Sequence, residues 1–151
     1  MIRQFQPGDA SSCCALIDAC LKQDASYSPS LLSKMRSIET PQSMTEHAKL
    51  FYIAVYESED RILGVAGLDL NEIRLLYVSP EYQRRGIGRM LLEHISGMVP
   101  SILFAEVFVY SSEQAVAFYK ACGFVDKGPF TFDLEGEALR TVFMVLPIPP
   151  G

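Results

Sequence analysis

A short apolar strand, Glu72–Val78, passes through Ser79-Pro80 into Gln83-Arg84-Arg85-Gly86-Ile87-Gly88, where an amphipathic helix opens. Gly86 and Gly88 lack Cβ, so the backbone can turn sharply there and a ligand can approach it closely. The first N–H groups of a helix have no partner within it and lie at the positive end of its dipole. An anion docked at such a start is held by the main chain itself. Arg84, Arg85 and Arg89 add positive charge in a chain whose net charge is −5. The stretch reads as a phosphate cradle.

Two familiar cradles fit badly. A P-loop needs Gly-Lys-Ser/Thr after its spacer, and no such run exists here. The dinucleotide fingerprint needs a third glycine three residues beyond the second, where this chain has Leu91. Glu106 lies about twenty residues on, where that fingerprint wants an acid, but one acid does not repair the glycine pattern. The Gln83–Gly88 run behind Val78-Ser79-Pro80 instead resembles the pyrophosphate loop of the GCN5-related N-acetyltransferases (GNAT). That loop follows Arg/Gln-x-x-Gly-x-Gly/Ala, which Gln83, Gly86 and Gly88 match. A second segment, Ser112 to Phe124, resembles the family's later motif, a helix carrying Phe118-Tyr119 and closing on Gly123-Phe124. The resemblance covers Arg61 to Phe124 firmly and the flanks loosely.

The resemblance implies an α/β (α+β) GNAT fold. Its central mixed, mostly antiparallel sheet is splayed between the fourth and fifth strands and flanked by helices. Residues 1–151 then form one N-acetyltransferase domain, with 147–151 as a short Pro-rich tail. In the family the pantetheine arm of acetyl-CoA lies in the splay, so the main chain of Leu76, Tyr77 and Val78 pairs with it like an added strand. Gln83, Arg84, Arg85, Gly86, Ile87, Gly88 and Arg89 hold the pyrophosphate. Ser112 stands where relatives often carry Asn on the cofactor side, and its shorter side chain reaches less far. The implied reaction moves an acetyl group to a primary amine of a small molecule or peptide by direct attack in a ternary complex. The alternative is a non-catalytic acyl-CoA-binding or partner-binding module on the same fold.

Acetyl transfer needs a deprotonated amine, a donor for the oxyanion and a proton for the leaving thiolate. By resemblance, Tyr119 is the acid and the Val78 N–H polarises the thioester carbonyl. Glu72 is the leading base, sharing a strand face with Arg74, Leu76 and Val78 unless a bulge intervenes. Its plain alternative is a strand-end carboxylate paired with Arg74. Glu106 is the second candidate, because a glutamate inside an apolar strand has its pKa raised by burial. Tyr119 has its own plain alternative as a core aromatic. His47 and His94 are isolated and read as helix-face residues. The family builds its acceptor pocket between the first two strands, here Asp9 to Leu50, and no motif there specifies an acceptor.

Composition indicates one folded domain. Apolar residues make up 49% of 151, which excludes a disordered chain and supplies one substantial core. The acidic balance argues against nucleic-acid binding, whose footprint is basic. No apolar run approaches the ~20 residues of a membrane span, and the first residues lack a signal-peptide pattern. A cytoplasmic enzyme is expected, and a homodimer is left open. Cys13, Cys14, Cys20 and Cys122 show no metal spacing and read as packing residues in a reducing compartment. No metal is expected.

Periodicity and turn signals place the remaining elements. Ile2–Gln6 reads as an edge strand, and a helix follows from Asp9 or Ser11 to about Leu21. Further helices start at Ser28-Pro29 and Thr40-Pro41. Strands are expected at Phe51–Tyr56, Arg61–Leu70, Glu72–Val78 and Ile102–Tyr110, the last covered on both faces. The helix from Gly86 presents Ile87, Met90, Leu91, Ile95 and Met98 to the sheet. The later helix spans Ser112–Cys122, with Ser111 and Gln114 at capping-box spacing. Phe124–Leu134 and Leu139–Leu146 form a terminal hairpin.

Overall fold

The computed structural model describes residues 1–150. Helices and strands follow in the order β1 (Ile2–Gln4), α1 (Ala10–Gln23), α2 (Pro29–Ile38), α3 (Pro41–Leu50), β2 (Tyr52–Ser58), β3 (Arg61–Asp69), β4 (Glu72–Val78), α4 (Ile87–Ser96), β5 (Glu106–Ser111), α5 (Val116–Ala121), β6 (Val125–Leu134) and β7 (Glu137–Pro147). Short 3-10 turns precede α1 and α5, and another follows β4. The strands form one sheet in the order β1-β2-β3-β4-β5-β7-β6. All neighbours are antiparallel except β4 and β5, which run parallel across α4. Those two pair only at Glu72–Phe108 and Ile73–Val109. Beyond Ile73 they part, and this is the expected splay.

Two cores fill the two faces of the sheet. One joins α4 and α5 to β3, β4, β5 and β7, with Leu91, Ile95, Val107 and Met144 fully buried. The other joins α1 and α3 to β2, β3 and β4 through Ile17, Met44, Ile53 and Val65. On α4 the inward residues are Ile87, Leu91, Leu92 and Ile95, each contributing roughly 1.5–3 kcal/mol by burial. Met90 and Met98 were expected on that face. Met90 is exposed instead, and Met98 lies beyond the helix, which ends at Ser96 with Gly97 as its C-cap.

The largest departure from the pattern lies just before β5. An apolar run suggests a strand from Ile102, but Leu103 and Phe104 both donate to the Pro100 carbonyl at 3.0 Å, closing a turn. Ile102 and Leu103 are exposed, and β5 begins only at Glu106. Proline ends α4's connection with a turn that consumes the residues the strand would have used. The central-strand expectation also fails on one face, where Phe108 and Tyr110 are only half-buried.

Other boundaries differ less. β1 stops at Gln4, and α5 is preceded by a 3-10 turn at Glu113–Ala115. Ser112, not Ser111, caps that turn, accepting from Ala115 N–H at 3.3 Å, while Ser111 donates to the Ser112 carbonyl. β7 starts at Glu137 and carries Pro147 opposite Glu106, so the tail's first residue extends the strand instead of stopping it. Gly151 lies outside the described residues. No helix among the described residues is long and apolar enough to cross a membrane.

Candidate active site

The splay opens into a cleft of about 730 Å³ between β4, β5, the end of α1, the Gln83–Arg89 loop and α5. Its first wall is the free half of β4. Ser79 N–H donates to the Leu63 carbonyl at 2.8 Å. Antiparallel pairing alternates hydrogen-bonded and free residues, so Tyr77 also faces β3 while the main-chain groups of Leu76 and Val78 face the gap. The Val78 carbonyl is already engaged there, accepting from Gln83 Nε2 at 3.0 Å and from Cys20 Sγ at 3.1 Å. Gln83 therefore ties the loop to the strand end. That role was not visible in the motif.

The second wall is the start of α4. Gly86 sits in the left-handed region at φ +87°, and no side chain caps the helix. Its first N–H groups are left for a ligand. The space beside Gly86 is open, since a Cβ there would meet nothing within 4 Å, and its positive φ suits a glycine. At Gly88 the reverse holds: its Cβ would lie 3.3 Å from the Phe118 ring, so it lets α4 approach α5. Both glycines line the cleft. Arg84 lines the cleft, itself at φ +65°. Arg85 lies outside the lining, with its guanidinium 5.2 Å from the Tyr82 ring. Arg89 lines the cleft and donates to the Ala121 carbonyl at the end of α5, at 3.1 Å. Ile87 buries its side chain in the core, leaving only its main chain to the loop.

Glu72 lies on a different face from the one a regular strand gives it. Gly67 pairs with Leu75 and Leu68 with Ile73, so Arg74 is an extra residue on β4, a bulge. Ile73 consequently packs with Leu76 and Val78 on the α4 side, while Leu75 and Tyr77 pack on the α1 side. Glu72, adjacent to Ile73 and opposite Phe108, faces the α1 side with Leu75 and Tyr77. It stands at the closed end of the splay and outside the cleft lining. Burial raises its pKa, outweighing Arg74, whose Nη1 lies 3.8 Å away, while Asp69 adds to the rise. Arg74 is shared with Asp69 at 3.2 Å.

Tyr119 lines the cleft while belonging to the α4-side core. Phe118 and Phe124 hold its ring edge-on, each at 5.2 Å. Its hydroxyl has no hydrogen-bond partner among the described residues. Burial first, and Cys122 second, push its pKa upward, so it keeps its proton at neutral pH. Glu106 is exposed at the start of β5 and does not line the cleft. The apolar surroundings expected for it are absent, because the run that suggested them is a turn. Ser112 lines the cleft, but its hydroxyl is spent on the cap.

Several cleft residues carried no sequence signal. Asp24 is nearly buried at the end of α1, where it accepts from Ser26 N–H at 2.9 Å and the Ser26 hydroxyl at 2.6 Å. The Gln114 amide, turned with its NH₂ inward, reaches both Asp24 oxygens at 3.2 Å. Tyr27 lies beside Asp24, and burial pushes its hydroxyl up to about 12. Asp24 and Tyr27 are near neighbours in sequence, but Gln114 is remote, and only tertiary folding brings it to them.

The comparisons agree with this geometry. The acetyltransferase (GNAT) domain model matches residues 23–144. The chain belongs to the GNAT family. It is 29% identical to the uncharacterized N-acetyltransferase YafP of Escherichia coli K12, over 82% of this chain and 79% of that one. It is 34% identical to the peptidyl-lysine N-acetyltransferase YjaB of the same organism, over 57% of this chain and 56% of that one. A GCN5-related N-acetyltransferase structure from Rhodopseudomonas palustris superposes with a TM-score of 0.90 at 22% identity, covering 98% of this chain and 95% of that one.

Proposed function

We propose that the chain transfers an acetyl group from acetyl-CoA to a primary amine by direct attack in a ternary complex. One observation carries the reading: the unpaired half of β4 adjoins an uncapped helix start inside a single cleft. A chain of amides needs the first and a diphosphate needs the second. Leu76 and Val78 supply main-chain groups for the pantetheine arm, and the α4 start with Arg84 supplies the anion site. Family membership supports the same pairing.

In the reaction, the amine nitrogen attacks the acyl carbon and the carbon–sulfur bond breaks. The Tyr119 hydroxyl gives its proton to the departing sulfur. Its raised pKa keeps the hydroxyl protonated at neutral pH, so the group that meets the departing sulfur is a donor. The proton leaving the amine goes to Glu72, directly or through a water, because Glu72 faces the α1 side, away from the α4-side core. Glu106 is the weaker base, being exposed where Glu72 is half-buried. Lysine side chains belong in the acceptor trials because YjaB carries peptidyl-lysine in its name.

The test is release of free thiol from acetyl-CoA with a panel of small amines, amino acids and lysine peptides. Amine-dependent release is the expected result. Tight acetyl-CoA binding with no release for any amine would favour the non-catalytic module instead.

A further inference from the structure

On the α1 side of the sheet the aromatic residues gather beyond the helices. Phe108 and Tyr110 on β5, Phe143 on β7, and Phe130 and Phe132 on β6 form one cluster. Tyr110 is its hub, with ring centroids 5.1 Å from Phe130, 5.0 Å from Phe132 and 5.3 Å from Phe143. None of the five belongs to either core, and Phe130 and Phe132 are 44% and 38% exposed. Contiguous exposed rings of this kind mark a binding surface.

Two features say what it binds. Tyr110 also lines the reaction cleft, so the aromatic wall and the cleft are one continuous surface. Carboxylates stand at its margins: Glu72 opposite Phe108, and Asp24 in the cleft that Tyr110 lines. On the outer side, α2 is fastened to the β6–β7 hairpin, with Lys34 Nζ 3.1 Å from Glu137 and 2.9 Å from the Glu135 carbonyl. The wall is thereby bounded. A second copy pairing along β6 is disfavoured by Pro129 and by the register shift between Asp126 and Pro129, devices that blunt a strand edge.

We infer that the wall is the acceptor subsite for an amine with an aromatic body, the ring lying on Tyr110, Phe130 and Phe132 and the ammonium directed to the cleft. This rests on the acetyltransferase reading above and narrows its acceptor class. Arylalkylamines and peptides or amino acids with aromatic side chains fit; short polyamines do not.

The experiment compares 2-phenylethylamine with ethylamine as acceptors, in wild type and in the double variant Phe130→Ala/Phe132→Ala. Both positions are exposed, and a melting curve checks the fold. Wild type is expected to favour 2-phenylethylamine by roughly tenfold or more in kcat/KM, through KM, as two aromatic contacts provide. In the double variant the ratio collapses toward one. Equal kcat/KM for both amines in wild type, or a preference surviving the double variant, overturns the subsite while turnover itself upholds the parent reading. If no amine is turned over, the parent reading falls, and calorimetric binding of 2-phenylethylamine decides the wall alone. Weakening of about tenfold in the variant supports it, and no difference overturns it. A wild-type dimer that the double variant converts to monomer, with the amine preference intact, gives the face to a second copy and overturns the proposal.

Discussion

The helix starts of α2 and α3 contrast with that of α4. Ser28 caps α2 by accepting from Leu31 N–H at 3.1 Å, with Pro29 at the first helical position. Thr40 caps α3 in a reciprocal pair with Ser43, and Pro41 follows it. Both ends satisfy their own backbone donors. The start of α4 has a left-handed glycine, no side-chain cap and a run of arginines. A helix end closed by its own side chain contributes stability. One left open inside a cleft keeps its N–H donors free.

The largest effect expected on the open side is at Tyr119. Tyr119→Phe removes only the hydroxyl, so kcat should fall roughly tenfold to several thousandfold with acetyl-CoA affinity retained. Rapid-quench kinetics that show chemistry limiting and kcat unchanged would reduce Tyr119 to packing.

Glu72→Gln should lower kcat/KM at neutral pH by roughly ten- to a hundredfold. The raised pKa of Glu72 means that the wild-type base appears only as pH climbs through that value. An alkylammonium titrates near ~10, so the variant recovers as the amine deprotonates itself and the deficit shrinks at high pH. A pH profile of kcat/KM reads this. A pH-independent deficit, or the same loss in Glu106→Gln alone, removes Glu72 from the base role.

Gly86→Val places a β-branched residue at φ +87°. Strain of about 1–2 kcal/mol at that position should move the loop and weaken acetyl-CoA binding about tenfold. Calorimetry on the folded variant with an unchanged Kd would break the contrast between open and closed starts. The smallest effect belongs to the closed ends. Ser28→Ala or Thr40→Ala should cost about 1 kcal/mol in denaturant unfolding. A comparable loss of acetyl-CoA affinity in either variant would show that the closed ends also serve the ligand.

Much of the cradle was legible because its signal is local. Glycines, arginines and a strand-to-helix switch within one short stretch need no distant contact to be recognised. The same holds for the α2 and α3 caps, where serine or threonine stands before proline. The β2–β3 turn was legible too: Glu59 and Asp60 both adopt positive φ, at 51° and 60°, in a polar run between apolar strands. The start of β5 misled because an apolar run looks alike in a strand and in an exposed turn. Pro100 decided between them through two hydrogen bonds that periodicity does not encode.

The sequence by itself determined the order of elements, the family and the glycine–arginine loop that opens α4. Each depends on residues close together in the chain. Only the tertiary structure decided which face Glu72 occupies. One extra residue at Arg74 reverses the parity of everything before it on β4, and that bulge is defined by β3, not by β4's own composition. Only the tertiary structure brought Cys20, Asp24 and Tyr27 to the cleft and joined five rings from three strands into one wall. Side-chain parity and cross-strand neighbours are properties of pairing between segments, and no single segment carries them.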